Sequence, residues 1–324
     1  MAIDIHWIRD NDSLGQFCAQ WQQLPFVALD TEFMRVDTFY PIAGLLQIGD
    51  GVRAYLIDPL TIDNWQPLAA LLENPAVLKV LHACSEDLEV LLRLTGSLPA
   101  PLFDTQLAAA YLNLGFSMGY SRLVSEVLGI DLPKGETRSD WLQRPLSETQ
   151  ISYAAEDAVH LAELFTVLRP RLSDDKYAWV LEDGAELVAA LRREVEPESL
   201  YRDVKLAWKL APQQLAVLRE LCAWREREAR ARNQPRNRIL REHSLWPLAR
   251  TQIWRAPPNR EVERASSPSS AGSRLRSAPA SSTRSPASGS SAKNRPAKAP
   301  ARRVSAPLGK RYWSWTASDM GGGL

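Results

Sequence analysis

Apolar positions along this chain follow two rhythms. Strand-length runs come first, at Phe26–Leu29, Leu45–Ile48, Arg53–Ile57 and Val77–Leu81, each bounded by turn-forming residues. Gly49-Asp50-Gly51 between the second and third predicts a hairpin turn. Helical spacing at Leu14, Phe17, Cys18 and Trp21 predicts a helix over Ser13–Gln23, capped by Ser13. Trp65–Leu72 reads as helical, and Ser85 as the cap of a helix running through Leu92. Phe103-Asp104-Thr105 ends a short strand ahead of a helix at Gln106–Leu112. Helices then dominate, over Tyr120–Leu128, Ser147–Leu168 and much of Asp175–Val195.

Three strands joined by tight turns, then strand–helix alternation, then helices, define an α/β layered domain with a mixed sheet. We place it at residues 1–170, followed by a helical connector at 171–205. Residues 206–252 read as a separate helical module. Pro212 opens a long amphipathic helix carrying Leu215, Leu218, Leu221, Cys222 and Trp224, with further helices near Asn237–Glu242 and Leu245–Arg250. From Arg255 onward Ser, Ala, Pro and Arg take over and apolar periodicity ends, so residues 253–324 are expected to be disordered.

Charge follows the same division. Residues 255–324 hold 13 Lys+Arg against 3 Asp+Glu, a net of +10, which leaves a net of −9 on residues 1–254. An acidic folded part does not by itself suggest a nucleic-acid enzyme. The three cysteines, Cys18, Cys84 and Cys222, lie far apart without a CxxC pair. That disfavours a disulfide framework or thiolate zinc site and fits a reducing cytoplasm. No signal peptide or apolar run of membrane-spanning length is visible.

The chemistry sits in acidic residues at element ends. Asp30 and Glu32 close the first apolar run, and residues two apart on a strand share a face. Paired carboxylates repel unless cations neutralise them, which points to hard divalent metal ions. Asp87 falls in the first turn after a strand, and Tyr153 and Asp157 are four apart on one helix face. Four acids without clustered His or Cys favour Mg²⁺ or Mn²⁺ over zinc, and two such ions suit phosphodiester hydrolysis. Tyr153 would orient the attacking water.

Leu29-Asp30-Thr31-Glu32, Ser85-Glu86-Asp87-Leu88 and Tyr153-Ala154-Ala155-Glu156-Asp157 resemble the three motifs of the DEDD exonuclease superfamily. The tyrosine matches its DEDDy branch; the histidine branch would place His where Ser152 stands. Phe39-Tyr40-Pro41 with Leu45-Leu46-Gln47-Ile48, and Lys134-Gly135-Glu136-Thr137-Arg138-Ser139-Asp140-Trp141-Leu142, sharpen the resemblance to the ribonuclease D family. Leu221-Cys222-Ala223-Trp224-Arg225-Glu226 is similar to the start of an HRDC domain. The resemblance implies an RNase H-like fold and a 3′→5′ exoribonuclease trimming tRNA precursors, monomeric and cytoplasmic. It further implies that Asp30, Glu32 and Asp157 hold one metal ion, and that Asp30, with Asp87 through water, serves a second.

Other readings compete residue by residue. Lys134, Arg138 and Trp141 are candidates to bind phosphate and stack a base, against a surface loop anchored by Trp141. Asp104 reads as a helix N-cap, His82 as a hydrogen-bonded core histidine and His160 as part of a packed helix face. Glu86 and Glu156 read as solvent charges, and Trp208, Trp224 and Trp246 as anchors of the helical core. The family resemblance stops near Gln252, about halfway through the first helical module. A frameshift in a GC-rich gene accounts for this stop; a basic arm adding salt-sensitive RNA affinity is the alternative. Reading the other two frames near codon 252 separates them. A DNA-directed 3′→5′ exonuclease and a non-catalytic RNA-binding scaffold are the rival functions.

Overall fold

The protein is described from a computed structural model, which describes residues 3–132, 139–193 and 195–251. The expectation of disorder at 253–324 lies outside these residues, as do Lys134 and Arg138.

Six strands form one mixed sheet: β1 (Ile5–Ile8), β2 (Phe26–Met34), β3 (Ile42–Gly49), β4 (Ala54–Ile57), β5 (Leu78–Leu81) and β6 (Leu102–Asp104). Their spatial order is β1-β4-β3-β2-β5-β6. The β2–β3–β4 meander is antiparallel, while β1 adds parallel to β4 and β5 and β6 add parallel beyond β2. β2 is therefore central. Strand β1 did not stand out in the sequence, because it is four residues long and His6 interrupts its apolar run.

Alternation along β2 sends its side chains to opposite faces. Val27 and Leu29 enter a core closed by α1 (Asn11–Trp21), α2 (Gln66–Glu73) and α3 (Ser85–Thr95). Ala28 faces a second core, built with α4 (Thr105–Tyr111), α5 (Tyr120–Leu128), α6 (Glu148–Leu168) and α7 (Asp174–Arg192). Asp30 and Glu32 continue the Ala28 face towards the strand's end. Helix α6 lies against this face without a spacer: a Cβ at Gly49, which pairs with Ala28, would overlap the carbonyl oxygen of Ala158.

The helical module comprises α8 (Pro212–Arg232), the short α9 (Arg236–Ile239) and α10 (Glu242–Thr251), with its own core around Leu218, Leu221, Cys222 and Leu245.

Several local expectations need correction. Helix α1 is capped by Asp10, whose carboxylate accepts the Ser13 N–H at 2.7 Å, not by Ser13. Helix α3 starts at Ser85 after Cys84, without a side-chain cap. The second helix of the module ends at Ile239, and Glu242 already belongs to the third. Trp208 is 79% exposed and anchors no core, whereas Trp224 and Trp246 pack against that of the module.

Candidate active site

Four acids from three elements converge at the end of β2. Asp30 and Glu32 extend from one face of the strand, and a bulge between Glu32 and Phe33 re-aims its last residues. Asp157 comes from the middle of α6, whose start is fixed by a capping box between Ser147 and Gln150. Ligand oxygens of Asp30, Glu32 and Asp157 lie within 4.8 Å of one another. Asp87 stands in the first turn of α3, held by the Thr31 hydroxyl, which donates to its carboxylate at 2.5 Å. Thr31 points away from Asp30 and Glu32, so one strand displays two acids on one face and anchors a third from the other. Asp87 lies outside the 4.8 Å group, yet its charge still raises the pKa of both Asp30 and Glu32.

Electrostatics at this point are unfavourable for ionised carboxylates. Burial, with the charges of Asp87, Asp157 and Glu32 added, holds Asp30 well above the usual carboxylate range. Glu32 is pushed up to about 9 by burial and then by Asp157 and Asp87. Burial raises Asp157 to about 7, opposed by a hydrogen bond from Tyr153, and raises Asp87 to about 6, opposed by the bond from Thr31. The charges that raise these four acids are those of neighbouring carboxylates. Such a donor set, entirely carboxylate oxygen, fits a hard divalent cation, which would remove the mutual repulsion. Gln47 adds to this picture: it pairs with Asp30 across β2–β3, is fully buried, and among the described residues neither of its amide atoms has a hydrogen-bond partner.

Tyr153 is half-buried, one turn before Asp157 on α6, and hydrogen-bonded to its carboxylate. Burial and the surrounding acids push its phenol far up, so it stays protonated and can donate. Trp141 backs it, with ring centroids 6.2 Å apart. This corrects the reading of Trp141 as a base-stacking residue. It is 1% exposed and packs with Leu45, Leu56, Leu146 and Ala154, so no nucleobase can reach its ring.

Groups around the acids support the site, and one of them, Tyr120, was overlooked by motif reading. The Tyr120 hydroxyl donates to the backbone carbonyl of Asp157 at 2.7 Å. Asp104 caps α4 by accepting the Gln106 N–H, and also accepts the N–H groups of Ala83 and Cys84 at 3.0 and 3.1 Å. It thereby fixes the turn that launches α3, where Ala83 adopts φ +50°. His82 is half-buried beside it with Nδ1 2.9 Å from the Thr105 hydroxyl oxygen, and desolvation lowers its pKa. His160 is engaged by Glu163, and Glu156 by Ser152.

A 3'-5' exonuclease family model matches residues 5–173, and an HRDC domain model matches residues 214–254. The chain belongs to the 3'-5' exonuclease family. Within that class it is similar to ribonuclease D of Pseudomonas paraeruginosa (strain DSM 24068 / PA7), with 69% identity over 249 residues, covering 77% of this chain and 66% of the relative. Ribonuclease D of Escherichia coli (strain K12) is 43% identical over 249 residues, covering 76% of this chain and 66% of the relative. The crystal structure of Escherichia coli RNase D, described as an exoribonuclease involved in structured RNA processing, superposes with a TM-score of 0.71 at 41% identity, covering 78% of this chain and 67% of that one. The chain thus spans just under two thirds of the length of the curated relatives it matches. The mixed-sheet exonuclease domain, the helical HRDC domain after it and the resemblance to ribonuclease D agree with the reading of the sequence. Among the described residues no helix is long and apolar enough to cross a membrane.

Proposed function

We propose that this chain is a metal-dependent 3′→5′ exoribonuclease of the ribonuclease D type. It hydrolyses the terminal phosphodiester bond of RNA to release 5′-mononucleotides, and tRNA precursors are its natural class of substrate. The observation that carries this reading is the approach of Asp30, Glu32 and Asp157 to within 4.8 Å, beside Asp87 and Tyr153, in a chain of the exonuclease family. In the proposal two Mg²⁺ or Mn²⁺ ions are the cofactors, one held by Asp30, Glu32 and Asp157 and one by Asp30 with Asp87. When bound they supply Lewis-acid stabilisation of the charge that develops on the phosphate oxygens.

The chain's own residues do the rest. The carboxylates hold their positions through Thr31, Tyr120 and the packing of α6, so no reorganisation is needed when substrate arrives. The protonated Tyr153 hydroxyl, at the rim of the acid group, orients the attacking water for in-line displacement. Trp141 keeps the phenol in place from behind.

The test is a single assay on matched 3′-labelled RNA and DNA oligonucleotides in Mg²⁺ and in Mn²⁺. RNA should be shortened from its 3′ end with nucleoside 5′-monophosphates as product. Chelation or Asp30→Asn should abolish release. Persistent activity after either treatment overturns the mechanism. Preferential digestion of the DNA would make this a DNA-directed exonuclease, and RNA binding without turnover in any metal would make it a scaffold.

A further inference from the structure

The loop between β2 and β3 follows directly on the acid-bearing strand, and the helical module grips it. Asn233, the residue after α8, adopts φ +48° and points its carboxamide oxygen at two consecutive loop amides. It accepts the Phe39 N–H at 3.1 Å and the Tyr40 N–H at 3.0 Å. Asn tolerates this left-handed backbone better than most residues, so the position suits both its conformation and its acceptor. The Phe39 ring is 9% exposed and lies under the Arg236 guanidinium, 4.9 Å from its centroid. Glu226, fully buried in α8, holds Arg236 and, at 2.8 Å, Arg230. Arg238 pairs with Asp37 of the same loop.

The other side of the loop is tied to the helix that carries Asp87. The Phe39 carbonyl accepts from Arg35 Nε and Nη2 at 3.1 and 2.8 Å. The same guanidinium donates to both Glu89 oxygens, at 2.8 and 3.2 Å, two residues beyond Asp87 on α3. Arg93, one turn further along α3, stacks on the Tyr40 ring with its guanidinium carbon 3.2 Å from the centroid. Glu226, Arg236, Phe39, Arg35 and Glu89 therefore form one connected path from the helical module to α3.

We propose that Asn233 is a positioning residue for the nuclease site: the helical module braces the β2–β3 loop, and through Arg35 and Glu89 the loop sets Asp87 against Asp30 and Glu32. The module then contributes to turnover itself, apart from any contact it makes with RNA. This inference rests on the proposed exonuclease function. The path explains why a half-buried arginine directs four of its five N–H donors to one carbonyl and one carboxylate of its own chain.

Full-length Asn233→Gly and Asn233→Asp provide the test. Glycine keeps the backbone conformation and deletes the acceptor; aspartate keeps an acceptor oxygen. Amide hydrogen exchange reads the brace directly. Asn233→Gly should raise exchange at Phe39 and Tyr40 about tenfold while leaving the middle of α8 protected. On 3′-labelled RNA it should lower kcat about tenfold with KM nearly unchanged, and Asn233→Asp should restore both exchange and kcat. Calorimetric titration with Mn²⁺ should show about threefold weaker binding in Asn233→Gly. Faster loop exchange with unchanged kcat and unchanged Mn²⁺ binding overturns the proposal, as does a loss of protection throughout α8. Should the wild-type chain prove inactive on RNA, the proposed function fails, while loop exchange and Mn²⁺ affinity still decide whether the brace positions Asp87.

Discussion

Replacing Asp157 by Asn should stabilise the metal-free protein while destroying the activity proposed for it. The carboxyl is 6% exposed, and burial raises its pKa from 3.8 to about 7. A folded-state pKa above the unfolded value means the folded protein binds more protons between about pH 4 and 7, so its stability falls as pH rises through that window. Three units at about 1.4 kcal/mol each make the ionised form costly by about 4 kcal/mol above pH 7. Relaxation and entry of water reduce this to an expected gain of about 1–3 kcal/mol for Asp157→Asn at pH 8. The amide keeps an acceptor for the Tyr153 hydroxyl and removes a charge that raises both Asp30 and Glu32. Urea denaturation in EDTA at about pH 5.5 and pH 8 measures it. Wild type should be weaker at the higher pH, and the variant should lose much of that difference. Added Mn²⁺ should strengthen wild type and leave the variant nearly unmoved. Wild-type stability that rises with pH, or an equal pH slope in the variant, would refute the reasoning.

Three further perturbations separate packing from chemistry. Gly49→Ala should cost about 1–3 kcal/mol and weaken Mn²⁺ binding, because its Cβ would push α6, with Asp157, off the sheet; thermal melts and calorimetry check both. Thr31→Val keeps the side-chain shape but deletes the bond to Asp87, so RNA turnover should fall about tenfold with the urea midpoint little changed. Tyr153→Phe should slow hydrolysis in a single-turnover assay while Mn²⁺ affinity stays near that of wild type, since in the proposed site the phenol orients water and is not a ligand.

The acids were legible in the sequence because the hard-cation site proposed for them restricts residue type. Asp30 and Glu32 terminate an apolar run, Asp87 opens a helix, and Tyr153 and Asp157 share a helix face, all patterns of short range. The meander was legible for the same reason, since Gly49-Asp50-Gly51 sits between two strand-forming runs. Parallel pairing was not. Nothing local in Ile5–Ile8 says that it will lie beside Ala54–Ile57, a partner about fifty residues on. Trp141 was misjudged because an aromatic in a loop near basic residues looks the same whether its ring faces solvent or the back of Tyr153.

The groups that hold the acids in place are of ordinary types, and only long-range contact gives them a role. Tyr120 reaches a backbone carbonyl 37 positions away, Thr31 a carboxylate 56 away, and Asn233 a pair of amides 193 and 194 away. A buried group of like charges explains why so many supports are needed. In the metal-free state the cluster pushes its own elements apart, so β2, α3 and α6 must be held by bonds that bring no positive charge among the acids. Neutral donors and fixed backbone groups meet that requirement; a lysine or arginine placed among the acids would compete with the cation they are proposed to bind. The arginines of the β2–β3 brace obey the same logic, because Arg35 and Arg236 are spent on Glu89 and Glu226, away from Asp30, Glu32 and Asp157.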